Sequence, residues 1–236
     1  MPILEATDVY KTLAKKEVLH WINFSVKKWE IYGFLGPNGA GKTTTMKSIL
    51  GLIIPESGSI KIFGEEGLSI ESKKRIGFMP ENTYLYKHLT GREFLHFNGS
   101  FFWLKWDILE KKIGALLQQV GLEDSWDIYL KNYSKWMLQR IGLAQSIINE
   151  PELLFLDEPM SGLDPIGRKM VKDLLVSLKS SGTTIFFNTH ILADVESICD
   201  RISIIHQGNI IVKGKKIQDL SWSLEDFFIT QVTENS

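Results

Sequence analysis

Hydrophobic positions along the chain follow two different spacings. Short, nearly unbroken apolar runs recur at residues 31–35, 60–63, 76–79, 153–156, 184–187, 202–205 and 210–212. Runs of that length predict strands. The continuous Leu153-Leu154-Phe155-Leu156 predicts a strand buried on both faces, as in a parallel sheet covered by helices. Between these runs the spacing changes to three and four. Leu109, Ile113, Leu116, Leu117 and Val120 form one apolar helical face, with its cap expected within 107–110 and Gly121 as its stop. Thr90-Gly91-Arg92-Glu93 has capping-box spacing and opens another helix. Asp164-Pro165 supplies a cap and a first-turn proline for a helix running to near Gly182. A further helix is expected over 43–52. Residues from about 82 to 149 read as mainly helical and interrupt an otherwise strand–helix order. The pattern therefore predicts an α/β core with an inserted helical subdomain.

Composition narrows the picture. The chain has 236 residues, 44% apolar and 23% charged, which suits one folded domain rather than a disordered or fibrous chain. Its net charge of -1 lacks the basic excess of a nucleic-acid-binding protein, so no nucleic-acid partner is expected. One cysteine, Cys199, forms no intrachain disulfide and fits a reducing compartment. No apolar run reaches the ~18 residues of a membrane span, and the N-terminus lacks a signal-peptide pattern. The expected location is cytoplasmic, with room for a membrane partner.

Two sequence segments carry chemistry. Gly36-Pro37-Asn38-Gly39-Ala40-Gly41-Lys42-Thr43 matches GxxxxGK[ST], between an apolar strand and a helix. Glycines let backbone N–H groups converge on phosphate oxygens, and the helix N-terminus adds partial positive charge. Lys42 is expected to reach the β- and γ-phosphates, Thr43 to hold Mg²⁺ and Thr44 to contact a neighbouring phosphate. Asp157-Glu158 follow the buried run 153–156, at the strand end that faces the ligand crevice of a parallel sheet. Acids in that place also serve as caps for a following helix. The glycine-rich loop in the same chain favours Asp157 as a metal ligand and Glu158 as the base that polarises water. Thr189-His190 end another apolar run. A histidine there suits contact with a γ-phosphate, although a lone strand-end histidine is commonly structural.

Taken in order, these motifs resemble the ATP-binding subunits of ABC transporters, of the branch paired with ABC-2-like exporters. The resemblance covers about residues 4 to 229. It rests on residues 36–44, Gly77-Phe78-Met79-Pro80-Glu81, Tyr133-Ser134-Lys135-Trp136-Met137-Leu138-Gln139-Arg140, residues 153–159 with Ser161-Gly162-Leu163-Asp164, and Thr189-His190. It implies a P-loop NTPase core with a mainly parallel sheet, a small antiparallel N-terminal β-subdomain and a helical subdomain, together one ATP-binding domain over 1–236. It also implies two subunits packed head to tail, as homodimer or heterodimer. ATP would lie between the P-loop of one and the signature segment of the other, where Ser134, Lys135 and residue 136 would meet the nucleotide and Asp164 would signal across the interface. A multi-span membrane permease would be the further partner, with this subunit peripheral on the inner face of the cell membrane. Other ABC ATPases act in translation or DNA repair, but the basic linker or long coiled coil typical of those types has no counterpart here.

Three departures accompany the resemblance. Leu13 stands where an adenine-stacking ring is usual, with Tyr10 nearby. Glu81 stands where glutamine is usual, as a candidate for contact with Mg²⁺ or water. Lys135 and Trp136 replace two glycines, and an indole at 136 is expected to fill space the nucleotide needs. Trp136 is one of seven tryptophans. Trp29 falls in a tight turn expected to need positive φ, and Trp21, Trp103, Trp106 and Trp222 also fall where glycine is common in the resembling family; Trp126 is less clear. One reading takes the seven as independent, tolerated surface or core aromatics; the other, favoured because the departures all run one way, takes them as UGA codons that the source reads as glycine. Eight aromatics between residues 84 and 106, among them Tyr84 and Trp103, are expected to build the helical subdomain's core, some of them lining a groove for the permease.

Overall fold

The computed structural model describes residues 1–82, 85–102 and 105–235; Tyr84 and Trp103 lie outside them. The chain opens with two long strands, β1 (Pro2–Leu13) and β2 (Lys16–Lys27), then β3 (Ile31–Leu35), α1 (Lys42–Ile49), β4 (Ser57–Ile62), β5 (Glu65–Glu66), α2 (Ile70–Lys74) and β6 (Ile76–Met79). Three helices follow, α3 (Gly91–Ser100), α4 (Trp106–Gln119) and α5 (Lys135–Ser146). The strand–helix order resumes with β7 (Leu153–Asp157), α6 (Pro165–Ser180), β8 (Thr184–Thr189), α7 (Leu192–Ile198), β9 (Arg201–His206), β10 (Asn209–Lys216) and α8 (Leu224–Glu234).

Two sheets result. One is antiparallel, in the order β2-β1-β4-β5. The other has the order β10-β9-β3-β8-β7-β6, parallel throughout except for the β9–β10 hairpin. Successive side chains on a strand point to opposite faces, and the central strands are apolar on both. Leu153 and Phe155 on β7 join the core shared with the antiparallel sheet and α1, while Leu154 and Leu156 join the core shared with the helices. Phe186 on β8 sits at the centre of the first core, with Phe24, Tyr32, Phe34 and Phe155 around it at ring-centroid distances of 5.4 to 5.9 Å. Each such buried ring contributes about 1.5–3 kcal/mol relative to exposure. The layer on each face fixes the tips of β3, β7 and β8, and those tips carry the site.

The local signals resolve in detail. Thr90 caps α3 by accepting from the Glu93 N–H at 3.2 Å, and Glu93 returns the bond to the Thr90 N–H at 2.8 Å. Gly121 ends α4 at φ 62, with Leu122 N–H donating to Leu117 C=O, a Schellman arrangement. The cap of α4 differs from expectation: Lys105 holds that position without a side-chain bond, and Asp107 lies inside the first turn, where its charge still suits the helix dipole. Strands β1 and β2 are hard to see in the sequence because bulges break their alternation; the pairing shifts register between Val9↔Ile22 and Lys11↔Leu19.

Candidate functional site

The loop 36–41 leaves the end of β3 and turns into α1. Its shape depends on residues without side chains at two points. A Cβ on Gly36 would lie 2.3 Å from the Ile205 carbonyl oxygen, and Gly41 holds φ 111 directly before α1. Gly39, at φ 78, has open space around it. The helix therefore starts with free backbone N–H groups at its positive end. Lys42 folds back over the loop and donates to the carbonyls of Gly36 at 2.7 Å and Pro37 at 3.2 Å. Burial pushes its ammonium below the usual lysine range; the carboxylates Glu158, Asp157 and Glu81 oppose that shift.

Three strand tips converge beside this loop. Parallel pairing sets Asp157 on β7 opposite Asn188 on β8. Asp157 Oδ1 accepts from Asn188 Nδ2 at 3.0 Å and from Thr43 Oγ1 at 3.4 Å. Glu158 follows at φ 53, a strained backbone state for a residue with a side chain. Its carboxylate is held at both ends, by Thr189 Oγ1 at 3.1 Å and by His190 Nδ1 at 2.9 Å. The Glu158 side chain is 9% exposed and that of His190 is 52% exposed, so the acid is enclosed and the imidazole faces solvent.

Loop and tips share one cavity of about 510 Å³. It is lined by Leu13, Val18, Asn38, Gly39, Gly41, Lys42, Thr43, Thr44, Glu81, Glu158 and His190. Of the loop residues, Gly36, Pro37 and Ala40 lie outside that lining. Leu13 brings apolar surface to the cavity, whereas Tyr10 turns toward Trp21, at 5.2 Å between ring centroids. Asn188 escaped the sequence reading. Its one signal was a polar residue closing an otherwise apolar strand.

The remaining candidates lie elsewhere. Ser134 caps α5, accepting from the Met137 N–H at 3.1 Å, and is exposed together with Lys135. Trp136 occupies the second helical position of α5 and does not fill open space. Its indole lies against α6, 2.9 Å from where a Gly167 Cβ would be, with the Arg140 guanidinium 3.9 Å over the ring. Asp164 caps α6, accepting from the Gly167 N–H at 2.7 Å. None of these four residues lines the cavity of its own chain.

A loop of bare N–H groups, a buried ammonium and Glu158 in one cavity, with Asp157 held beside it on Thr43, suit a polyphosphate with a divalent cation. Residues 19–161 match the family model described as ABC transporter. An ABC transporter ATP-binding protein of Nostoc sp. is 48% identical, over 81% of this chain and 58% of its own. The lantibiotic transport ATP-binding protein SrtF of Streptococcus pyogenes is 38% identical, over 98% and 97%. A solved structure titled as the ATP-binding subunit of an ABC transporter superposes with a TM-score of 0.89 at 29% identity, covering 97% of this chain and 99% of that one. The chain spans about three fifths of the length of the first curated relatives it matches. Among the described residues no helix is long and apolar enough to cross a membrane. On its loop, its strand tips and its match over residues 19–161, this chain belongs to the ABC transporter ATP-binding family.

Proposed function

We propose that the chain is the ATP-hydrolysing, energy-coupling subunit of an ABC exporter, built as one ATP-binding domain. The observation that carries this reading is the single cavity that joins Lys42, Thr43, Glu158 and His190, with Asp157 held 3.4 Å from Thr43. The N–H groups of residues 39–44 cradle the phosphates, and the Lys42 ammonium moves from its loop carbonyls to the β- and γ-phosphate oxygens. Leu13 packs on the adenine. Thr43 and Asp157 are the hard oxygen donors that Mg²⁺ takes, with Glu81 within reach of its shell. Bound there, the ion neutralises phosphate charge. Glu158 accepts a proton from water as the water oxygen attacks the γ-phosphorus and the bond to the β-phosphate oxygen breaks. Thr189 and His190 hold Glu158 in position, and the exposed side of His190 meets the γ-phosphate. Positioning and charge stabilisation supply most of the rate in such chemistry.

Ser134, Lys135, residue 136 and Asp164 serve a second subunit, identical or paralogous. Their place away from their own cavity supports this assignment, because a nucleotide they touch belongs to another chain. Nucleotide then favours the closed pair and hydrolysis releases it, a ligand-driven shift of population. A multi-span permease at the inner membrane face converts that motion into export; the transport role named for the streptococcal relative supports it. The test is Glu158→Gln in the chain with glycine at residue 136. ATP binding is expected to persist, turnover to fall roughly 10²–10⁴-fold, and a dimer to accumulate with ATP, seen by size-exclusion chromatography with light scattering. Normal turnover in that variant contradicts the base assignment, and a monomer at saturating ATP contradicts the two-subunit site.

A further inference from the structure

Tryptophan is a large apolar ring with one N–H, and folds normally bury most of it and give the N–H an acceptor. The phenylalanines of the central core follow that rule: Phe24, Phe34, Phe155 and Phe186 are all at most 2% exposed, although Tyr86, Phe97, Phe101 and Tyr129 of the helical region are exposed. Trp126 and Trp136 are half-buried against the core, and the other described tryptophans are exposed. Among the described residues no tryptophan is buried. Trp21, Trp29, Trp106 and Trp222 are 59%, 66%, 67% and 59% exposed. The Nε1–H of half-buried Trp136 is enclosed with no acceptor.

The backbone points the same way. Trp21 has φ 54 and Trp29 has φ 64, in the left-handed region where a Cβ is sterically opposed. Each position has an independent reason for that conformation. His20 and Trp21 together face the single residue Tyr10 between the pairs Val9↔Ile22 and Lys11↔Leu19, a bulge of the kind that takes a left-handed glycine. Trp29 closes the turn from β2 to β3, and its N–H is fixed on Thr184 Oγ1 at 2.9 Å. Two of the six described tryptophans are left-handed, against seven of all other described residues that carry a side chain. At these positions the fold holds the backbone and makes little use of the ring.

We propose that all seven tryptophan positions are glycine in the protein as its own cell makes it. The gene would write them as UGA, read there as glycine, and the tryptophans come from reading UGA as tryptophan. Independent substitutions at separate sites would not converge on the residue least like glycine. Trp126 lies beneath the Arg92 guanidinium at 4.9 Å and Trp103 lies outside the described residues; at these two positions the proposal rests on the gene test alone. The inference stands on backbone geometry and exposure; only its hydrolysis readout rests on the function proposed above.

The direct test reads the gene and the native protein. UGA at all seven codons is expected, with glycine at residues 29 and 136 in peptide mass spectra of natively produced material. UGG at either position, or tryptophan in those peptides, overturns the proposal. A second test uses the recombinant chain as written. Trp29→Gly is expected to raise the melting temperature by roughly 2–8 °C, and a lowered value counts against the inference. Trp136→Gly is expected to raise Mg²⁺-dependent ATP hydrolysis about tenfold. A thermal gain from Trp29→Gly without a hydrolysis gain from Trp136→Gly upholds the glycine assignment and counts instead against the two-subunit nucleotide site.

Discussion

Helices α1 and α5 both begin at segments where the proposed mechanism needs bare backbone N–H groups, yet the chain treats them differently. Before α1, the fold itself excludes side chains. A Cβ on Gly36 would strike the Ile205 carbonyl at 2.3 Å, and one on Gly41 would come within 3.1 Å of the Val18 carbonyl. At α5 the second position accepts an indole, which finds contacts on Gly167 and Arg140 without disturbing the helix. Glycine in the first segment is thus required by this chain's own packing. The chain's own packing sets no such requirement in the second; under the proposed mechanism it would come from the nucleotide of a partner subunit. A site completed within one subunit leaves its marks in that subunit's steric contacts; one completed between two need not.

The contrast can be tested from both sides. The largest expected effect lies at the strand tip, where Glu158→Gln removes the base and leaves the cradle intact, as set out above. Next is Lys42→Ala, which removes a charged donor and is expected to weaken ATP binding roughly 100-fold by equilibrium titration. Gly36→Ala should destabilise the fold by about 1–3 kcal/mol in denaturant unfolding, because its neighbour is backbone and cannot swing aside. A neutral result there would show that the loop yields, and would erase the difference between the two helix starts. The smallest effect belongs to Trp136→Gly, whose tenfold gain in hydrolysis should come with a stability change of no more than about 1 kcal/mol.

Much of this molecule was legible in the residues. Apolar runs marked the central strands because those strands are buried on both faces, and the loop 36–43 announced itself because glycine, lysine and threonine at fixed spacing have a single steric logic. Asp157 and Glu158 were visible as acids after an apolar run. Other features were hidden for physical reasons. Strands β1 and β2 carry bulges that break their period. Asn188 holds Asp157 through pairing between strands distant in sequence. The cap expected at Asp107 fell two residues earlier, on Lys105, which makes no side-chain cap bond. The expectation that Trp29 needs positive φ was met at 64°. The Trp136 ring lies on α6 of its own chain, and the expectation that it fills nucleotide space concerns the site of a partner subunit.

The central claim is that the amide cradle, the Lys42 ammonium and the two strand-tip acids hold a magnesium-bound adenine nucleotide. Calorimetric titration of ATP into the chain with glycine at the seven tryptophan positions, run with Mg²⁺ and with EDTA, tests it most directly. Saturable binding to one site per chain that weakens when the ion is withdrawn, and that Lys42→Ala largely abolishes, is the predicted result. Binding indifferent to both the ion and Lys42, or no binding at all, would contradict the account.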